Sequence, residues 1–409
     1  MAEKRTTGAS TGHIAHKKGN TRKNGSKKKV DPALESRRKI VSVTVKIALV
    51  LLAVLLLIAW WSNRVDWSCT NIVQCSKDTP LMIGGGKGFP ISVSGSRALD
   101  IKPLANGFGV LTDTSYSIHN TESKTVDIRA HYMSSPALTS SGRYALIYDI
   151  GGKSYRLETV AETLDSGKTD YVITGGCVSR TGRYALTSYN SSKLSMMEVR
   201  ESSGEIIHKW HSDYFYITSV ALSADGQYIA VCGLNAQDGK PVSTVIIQKV
   251  GEKADVSRLT FTDVEFITIE FTKPGTLIAV GSTKTLIIDA GGTSHSEISY
   301  GGSQLISYDI SYDSGILLYI SESADLSLGT LVSCDTMGYE RFKINVTGYV
   351  LAISAGQQHS SVLTREKAYI YSDIGKLISE NEVGESCFDI ITLGNGAFVA
   401  STSEIDKIH

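Results

Sequence analysis

The sequence predicts an all-β fold for residues 88–409, a β-propeller of about eight four-stranded blades, preceded by one transmembrane helix and a disordered basic tail. Three observations favour the propeller. Short turns ending in glycine recur about every 40 residues, a run of β-branched or aromatic residues follows most of them, and helical periodicity is absent. A unit of that length accommodates four short strands and leaves no room for a long helix.

The first segment, residues 1–39, predicts a disordered basic tail on the cytoplasmic side. Residues 1–46 contain 13 Lys or Arg and 3 Asp or Glu, so the rest of this neutral chain is acidic. The tail has too few large apolar residues to offset the entropy of ordering it, and we expect it to contact anionic lipid head groups. Docking of a cytoplasmic partner or RNA at Lys27–Lys29 is the alternative. The acidic body argues against nucleic acid as its ligand.

Residues 40–61 predict a single membrane span. Ile47–Trp61 contains no charged side chain, and with the preceding residues it is long enough to cross a bilayer as a helix. We expect Lys46 to reach the cytoplasmic surface and Trp60 and Trp61 to anchor the outer interface. The basic flank places the N-terminus in the cytoplasm and the C-terminal domain outside. A cleaved signal peptide fits less well, because bulky tryptophans end the apolar stretch.

Residues 62–87 predict a juxtamembrane linker. Cys69 and Cys75 enclose five residues, and either a disulfide or two free thiols is compatible with that spacing. The glycine-rich stretch Gly84–Gly88 is similar to a phosphate loop, but no Ser or Thr follows Lys87. We interpret it as a flexible hinge.

From residue 88 onward, eight glycine-containing turns each predict one blade. Glycine suits these turns because it adopts the positive φ that a tight hairpin requires. Seven blades is the alternative, if the unit around Gly107 or Gly356 is incomplete. The turns contain Gly107, Gly142, Gly182, Gly226, Gly275, Gly315, Gly356 and Gly396.

The two ends of the repeat complement each other. The last unit, from Cys387 to His409, has room for three strands, and an unassigned strand-like stretch, Phe89–Ser94, precedes the first unit. An unpaired blade edge would expose backbone donors and acceptors. We therefore expect the N-terminal strand to complete the last blade and close the ring.

The repeated turn glycine, the two hydrophobic strands and the later Asp-x-Gly turn resemble the quinoprotein-like and WD40-like propeller superfold. The whole arrangement resembles an uncharacterised family of single-pass membrane-anchored propeller proteins of Gram-positive bacteria. The sequence lacks the Trp-Asp and Gly-His dipeptides of WD40 repeats and the tryptophan docking motif of quinone enzymes. This resemblance implies a location at the cell surface and no known activity.

Motifs for catalysis, metal binding or cofactor binding are not recognisable in the sequence, so we predict neither an enzyme nor a cofactor. His208 and His211 lie three apart, which in a strand points them to opposite sides. Tyr144, Tyr184 and Tyr228 each follow a turn glycine by two residues, which favours packing between blades.

A dense aromatic group, Trp210, Tyr214, Phe215 and Tyr216, is the best candidate for a binding patch. A rigid propeller can present many variable loops to a partner at once. We therefore predict an extracytoplasmic, non-catalytic scaffold that binds another protein of the cell envelope. A receptor or sensor for a cell-wall polymer or small ligand is the alternative, and an enzyme is the third reading.

Overall fold

The computed structural model separates the chain into two units, Met1–Thr70 and Asn71–His409. It describes residues 45–54, 79–82, 84–93, 95, 97–273, 275–289, 291–293, 295–322, 324, 326–394 and 396–409.

In the first unit, residues 45–54 form a helix whose apolar side chains are exposed, and Lys46 lies in its first turn. Within the described ranges no helix has both the length and the apolar character needed to cross a membrane. The predicted span 40–61 therefore stays a prediction. The tail 1–39, the tryptophans at 60 and 61 and the cysteines at 69 and 75 lie outside the described residues.

The second unit is an eight-bladed propeller, so the predicted number of blades is confirmed. Its described residues contain one short helix, Thr79–Met82, and the strands β1 to β32 in eight four-stranded sheets. Blade 1 contains β2 (Ala98–Leu104), β3 (Gly107–Thr112), β4 (Ser115–Asn120) and β5 (Thr125–Ala130). Blade 2 contains β6 (Pro136–Ser141), β7 (Tyr144–Asp149), β8 (Ser154–Glu158) and β9 (Thr163–Lys168). Blade 3 contains β10 (Val172–Val178), β11 (Tyr184–Asn190), β12 (Lys193–Arg200) and β13 (Ile206–Ser212).

The remaining blades follow in chain order. Blade 4 contains β14 (Tyr216–Leu222), β15 (Tyr228–Gln237), β16 (Lys240–Lys249) and β17 (Asp255–Thr262). Blade 5 contains β18 (Phe266–Thr272), β19 (Thr276–Gly281), β20 (Lys284–Ile288) and β21 (His295–Ser299). Blade 6 contains β22 (Gln304–Ser311), β23 (Gly315–Ser321), β24 (Leu328–Cys334) and β25 (Glu340–Thr347). Blade 7 contains β26 (Val350–Ala355), β27 (His359–Thr364), β28 (Lys367–Ser372) and β29 (Leu377–Glu382). Blade 8 contains β30 (Cys387–Leu393), β31 (Gly396–Ser401), β32 (Glu404–Ile408) and β1 (Ile91–Ser92).

The first strands of neighbouring blades contact one another all the way around the ring, so they surround the central channel. Strands within each blade run antiparallel, which fixes the two ends of the propeller. We define the lower face by the turns between first and second strands and between third and fourth strands. The upper face carries the turns between second and third strands and the connections between blades.

Closure of the ring by the N-terminal strand is confirmed. Ile91 pairs with Ile405 and Ser92 with Glu404, and the Val93 N–H donates to the Ser403 carbonyl at 2.8 Å. Every other blade of the described ring is built from consecutive strands, so among these eight sheets only blade 8 is completed by a distant part of the chain, and we call this junction the seam.

A strap, residues 84–90, holds the closing strand against blade 1 on the lower face. The Gly86 N–H donates to the Glu122 carbonyl at 2.7 Å, and the Asn120 side-chain amide donates to the Gly84 carbonyl at 2.9 Å. Upstream, Leu81 is buried against blade 1, ahead of the predicted boundary at residue 88. The glycine-rich stretch is thus docked rather than a free hinge.

The turn glycines follow the prediction in five blades. Positive φ angles of 60°, 89°, 67°, 108° and 102° occur at Gly142, Gly182, Gly226, Gly275 and Gly315. In blade 1 the left-handed residue is Ala105 instead of Gly107, and in blade 8 it is Gly394 instead of Gly396. Gly356 of blade 7 does not have a positive φ, contrary to the prediction. The sequence therefore predicts the position of each hairpin more accurately than it predicts which residue adopts the positive φ.

Tyrosines pack between blades, as predicted for Tyr144 and Tyr184. Both are buried in one apolar cluster between blades 2 and 3. A side chain at Gly182 would place its Cβ 2.7 Å from the Tyr144 ring, so glycine at this turn also makes room for the aromatic residue of the preceding blade. Tyr228 is half-buried against the cluster between blades 4 and 5.

A buried ion pair joins blades 1 and 2. Arg129 of β5 donates from Nη1 to Oε2 of Glu158 at 2.5 Å, and Arg156 pairs with the other carboxylate oxygen. Arg129 also donates to the carbonyls of Thr159 and Val160 at 2.8 and 2.9 Å. Glu158 is fully buried, so its pairing with these two arginines offsets the cost of removing the carboxylate from water.

Candidate functional site: an aromatic patch and the central channel

The predicted aromatic group lies at the junction of blades 3 and 4, but its members differ in exposure. Tyr214 and Tyr216 are 80% and 56% exposed on the upper face, whereas Phe215 is buried. Phe215 packs onto Gly233 of blade 4 and stacks on half-buried Trp210 with ring centroids 5.9 Å apart. Phe215 and Trp210 therefore form the support under the surface, and the two tyrosines form the surface itself.

Strand pairing adds two residues that the sequence did not group with these. Val172 at the start of β10 lies opposite Tyr189 at the end of β11, and both are exposed. Tyr189 lies on the same side of β11 as Ala185, which packs in the cluster with Phe215. We call Val172, Tyr189, Tyr214 and Tyr216 the aromatic patch.

Hydrogen bonds hold the two halves of the patch together. The Ile217 N–H of blade 4 donates to Oγ of Ser195 of blade 3 at 2.9 Å, next to Tyr216. The Ser212 hydroxyl accepts the backbone N–H groups of Tyr214 and Phe215 at 3.1 and 3.2 Å, which fixes the turn. The two tyrosines are thus presented by a fixed backbone, which lowers the entropy cost of binding.

The second candidate region is the central channel, where the innermost strands bring ionisable groups of four blades together. Lys102 and Asp100 of blade 1 form an ion pair at 3.4 Å. Glu270 of blade 5, Asp309 of blade 6 and Asp389 of blade 8 act electrostatically on one another or on Lys102 across the channel. No spacing in the sequence indicated this cluster, because its members come from first strands far apart in the chain.

The surrounding blades shift the titration of these groups. Solvent reaches Glu270 through the channel, yet the protein walls remove its carboxyl from bulk water and raise its pKa to about 7, with a further contribution from the negative charge of Asp309. Burial likewise raises the pKa of Asp389 to about 6. The negative charge of Asp100 raises the pKa of Lys102. Burial opposes this rise, and Asp389 and Asp309 add to it. The ammonium is therefore the positive centre of an acidic channel.

Arg180 crosses the lower mouth of the channel. Its guanidinium lies 4.6 Å from the ring centre of Tyr312, and Nη1 lies 3.6 Å from a carboxylate oxygen of Asp313. Arg180 belongs to blade 3 and the other two residues to the turn of blade 6, so this contact spans the mouth instead of following the ring. Lys273 of blade 5 also pairs with Asp313 at 3.6 Å. The contact narrows access from the lower face.

Two other chemistry-bearing groups, His208 and Cys177, are buried within the fold. His208 lies 3.2 Å from the Gln248 side-chain oxygen and accepts the Gly251 N–H, which accounts for its burial. Burial raises the pKa of the Cys177 thiol to about 12, which makes it a poor nucleophile. Among the residues in the described ranges, no group of His, Cys, Asp or Glu is arranged to hold a metal ion.

Comparison with known families identifies the chain. Residues 91–409, which is the propeller from its closing strand onward, match the model of a family of unknown function, DUF5711. The chain belongs to this family. No curated protein matches the chain significantly. The family assignment therefore agrees with the resemblance drawn from the repeat, and it carries no activity with it.

Solved structures similar to the chain are also propellers. The C-terminal WD40 domain of Sif2 has a TM-score of 0.57 at 13% identity, with 79% of this chain and 100% of that chain covered. Sqt1 of Chaetomium thermophilum, bound to the N-terminus of ribosomal protein L10, has a TM-score of 0.55 at 11% identity, covering 78% and 98%. Apo AztD from Citrobacter koseri has 0.53 at 12%, covering 73% and 89%. These similarities show the fold.

Proposed function

We propose that this protein is a non-catalytic propeller scaffold of the cell envelope that docks a protein partner on its aromatic patch. The observation that carries the proposal is the exposure of Tyr214 and Tyr216 on a rigid, hydrogen-bonded turn beside exposed Val172 and Tyr189. Large aromatic residues supply much of the binding energy of protein interfaces because they bury a large area with few rotatable bonds.

The similarity to Sqt1, whose structure contains the N-terminus of a ribosomal protein, supports a protein ligand for this fold type. The bound segment in that complex is the N-terminus of the ribosomal protein. We propose by this analogy that the patch takes a segment of an envelope protein rather than a whole domain.

Anchoring in the membrane is the second part of the proposal. Residues 45–54 are helical and present exposed apolar side chains, as a lipid-facing helix would, and they follow a strongly basic stretch. By the positive-inside rule, this order would place the tail in the cytoplasm and the propeller outside. Protease added to intact cells should then remove the propeller and spare the tail, and the reverse pattern would contradict this orientation.

The docking proposal is tested by crosslinking in intact cells and purifying the tagged full chain. We compare the wild type, a Tyr214→Ala/Tyr216→Ala double variant and Tyr132→Ala, a control that removes a fully exposed tyrosine from the connection between blades 1 and 2. The wild type and the control should recover the same envelope protein, and the double variant should lose it by about tenfold or more. Equal recovery by all three would disprove docking at this patch.

The central channel favours a second candidate function, a receptor for a cationic group carried by a cell-wall polymer. Its carboxylates act electrostatically on Lys102, and Arg180 narrows the lower mouth, so a ligand would enter from the upper face. Retention of the chain on cell-wall material is the discriminating observation. If retention persists in the Tyr214→Ala/Tyr216→Ala variant and is lost in Glu270→Gln/Asp309→Asn, the receptor reading replaces the scaffold.

A further inference from the structure

We propose that the lower face of blades 6 and 7 rests on the surface of the lipid bilayer. This inference rests on the membrane anchor of the proposed function and adds an orientation to it. The contact surface, which we call the lower apolar patch, is formed by exposed large side chains of two neighbouring turns: Met337, Tyr339, Ile374, Leu377 and Ile378.

The two turns are neighbours in space. The first joins β24 to β25 in blade 6, and the second joins β28 to β29 in blade 7. A side chain at Gly375 in the second turn would place its Cβ 2.9 Å from the ring of Phe342, which belongs to the first hairpin. The exposed fractions are 50% for Met337, 72% for Tyr339 and 72% for Ile374. The second turn of the patch therefore packs on the first hairpin. Met337, at the far side of the first turn, lies with its Sδ 3.7 Å from the Thr276 hydroxyl of blade 5.

Polar side chains hold each turn so that the apolar ones project. The Asp335 carboxylate accepts the backbone N–H groups of Met337 and Tyr339, both at 2.9 Å. The Ser372 hydroxyl accepts the N–H of Lys376 at 3.1 Å. Turns on a protein surface usually expose polar side chains to water. Here the polar side chains bond to the backbone of the turn, and the large apolar side chains are exposed.

The point at which the chain enters the propeller indicates that the lower apolar patch contacts a bilayer. The docked strap and Leu81 pack against blade 1 at its lower face, which is the face that carries the lower apolar patch. Residues 62–78 separate the predicted span from the helix Thr79–Met82, and a fully extended chain of that length covers no more than about 60 Å. A bilayer around the span is therefore the apolar medium within reach of this face.

The composition of the patch suits a bilayer interface. Tyrosine and long aliphatic side chains partition into the membrane interface, and Arg341, Lys343 and Lys376, which are close to them in sequence, are exposed and able to contact anionic lipid. Glu340 and Asp373 lie among them and oppose this attraction, so we expect shallow contact by apolar side chains rather than strong electrostatic adsorption. The aromatic patch, on the upper face, would then point away from the membrane toward a partner.

Site-specific photocrosslinking in vesicles tests this orientation. The full chain is reconstituted into phosphatidylcholine vesicles with one quarter phosphatidylglycerol, with p-benzoylphenylalanine in place of Ile374 or, as an upper-face control, in place of Tyr132. We expect lipid adducts at position 374 to exceed those at position 132 by about tenfold, and Tyr339→Asp/Leu377→Asp to reduce the adducts at 374 several-fold.

Flotation of the same vesicles separates the two proposals. If the full chain fails to float with the vesicles, the anchor itself is absent and the proposed function loses its membrane part. If the chain floats and position 374 yields no more lipid adduct than position 132, the orientation proposed here is wrong. Crosslinks from position 374 to a second copy of the chain would also overturn it, because the patch would then be a dimer interface.

Discussion

Ile91 lies directly opposite Ile405, and this buried pair brings the first and last strands of the propeller into one sheet. The closing strand β1 has two residues, whereas the fourth strands of the other blades have five to eight. So short a strand offers few ladder hydrogen bonds. The strap and the aromatic contacts of Phe89 and Phe108 with Phe398 must therefore stabilise the seam as well.

Replacement of Gly86 by Ala tests the strap. The new Cβ would lie 2.1 Å from the Ser123 carbonyl oxygen, so the strap must shift and weaken the hydrogen bond from Gly86 to Glu122. We expect the free energy of unfolding to fall by about 1–3 kcal/mol. Gly85→Ala is the matched control, because nothing lies within 4 Å of its Cβ position. Equal urea midpoints for the two variants would show that the strap does not support closure.

The ion pair between blades 1 and 2 gives a second prediction. Glu158→Ala removes the fully buried carboxylate that Arg129 and Arg156 share and leaves Arg129 with Asp127 as its remaining acidic partner, so the free energy of unfolding should fall by about 3–5 kcal/mol. Glu201→Ala removes a partly exposed partner of Arg183 and should cost about 0–1 kcal/mol. Chemical denaturation of both variants measures the difference. A loss of stability at Glu158 no larger than at Glu201 would show that the buried ion pair does not hold blades 1 and 2 together.

Buried Phe215 and its exposed neighbour Tyr214 should differ sharply in the effect of their substitution on stability. Phe215→Ala leaves a cavity between Trp210 and Gly233 and should lower the free energy of unfolding by about 3–5 kcal/mol. Tyr214→Ala should change it by no more than about 0.5 kcal/mol, because that side chain is in water. Thermal denaturation decides between these outcomes. A large loss at Tyr214 would mean that this residue supports the fold and is not free for a partner.

The channel predicts a pH dependence with a defined sign. The pKa of Glu270 is about 7 in the folded chain and has an ordinary value of 4.5, so between these values the folded state binds a proton that the unfolded state has lost. Stability should therefore decrease as pH rises through this window. Glu270→Gln should raise Tm at pH 8 by about 1–2 °C and change it little at pH 5, since channel solvent screens the charge.

Glu297→Gln provides the contrasting control for this titration. Lys284 lowers the pKa of Glu297 on the surface, so loss of this carboxylate should slightly destabilise the chain at pH 8 instead of stabilising it. Lys102, Asp309, Tyr308 and Cys177 also face or influence Glu270, and Asp389 titrates nearby, so some pH dependence should remain in Glu270→Gln. A pH profile identical to the wild type would exclude Glu270 as its source.

The repeat was sufficient to predict the blades because each hairpin combines a local turn with a strand that must be buried. The seam was predictable because a blade with three strands leaves one edge unpaired. Phe89–Ser94 was the strand-like segment available to pair with that edge. The exact turn residue was less predictable, since Ala105 and Gly394 adopt the left-handed conformation expected of Gly107 and Gly396. In blades 1 and 8 the hydrogen bonds between the paired strands determine the position of the hairpin, and more than one residue can adopt the positive φ of its turn.

The candidate sites were only partly predictable because they depend on neighbours far apart in the chain. The proximity of Trp210, Tyr214, Phe215 and Tyr216 was evident from the sequence, but burial of Phe215 follows from Gly233 in the next blade. Tyr189 joins the patch through pairing with Val172. The contact of Arg180 with Tyr312 crosses the ring, and no local pattern encodes it.

The seam also sets an order for biosynthesis. A ribosome makes residues 91–93 roughly 300 residues before residues 403–405, and at about 5–20 residues per second this interval is on the order of half a minute. During that time seven blades can form in sequence. Ile91 and its neighbours have no strand to pair with until the last strand is synthesised. The nascent propeller is thus an open arc with two unsatisfied edges, and it becomes a closed ring in one late step at the C-terminal end of the chain.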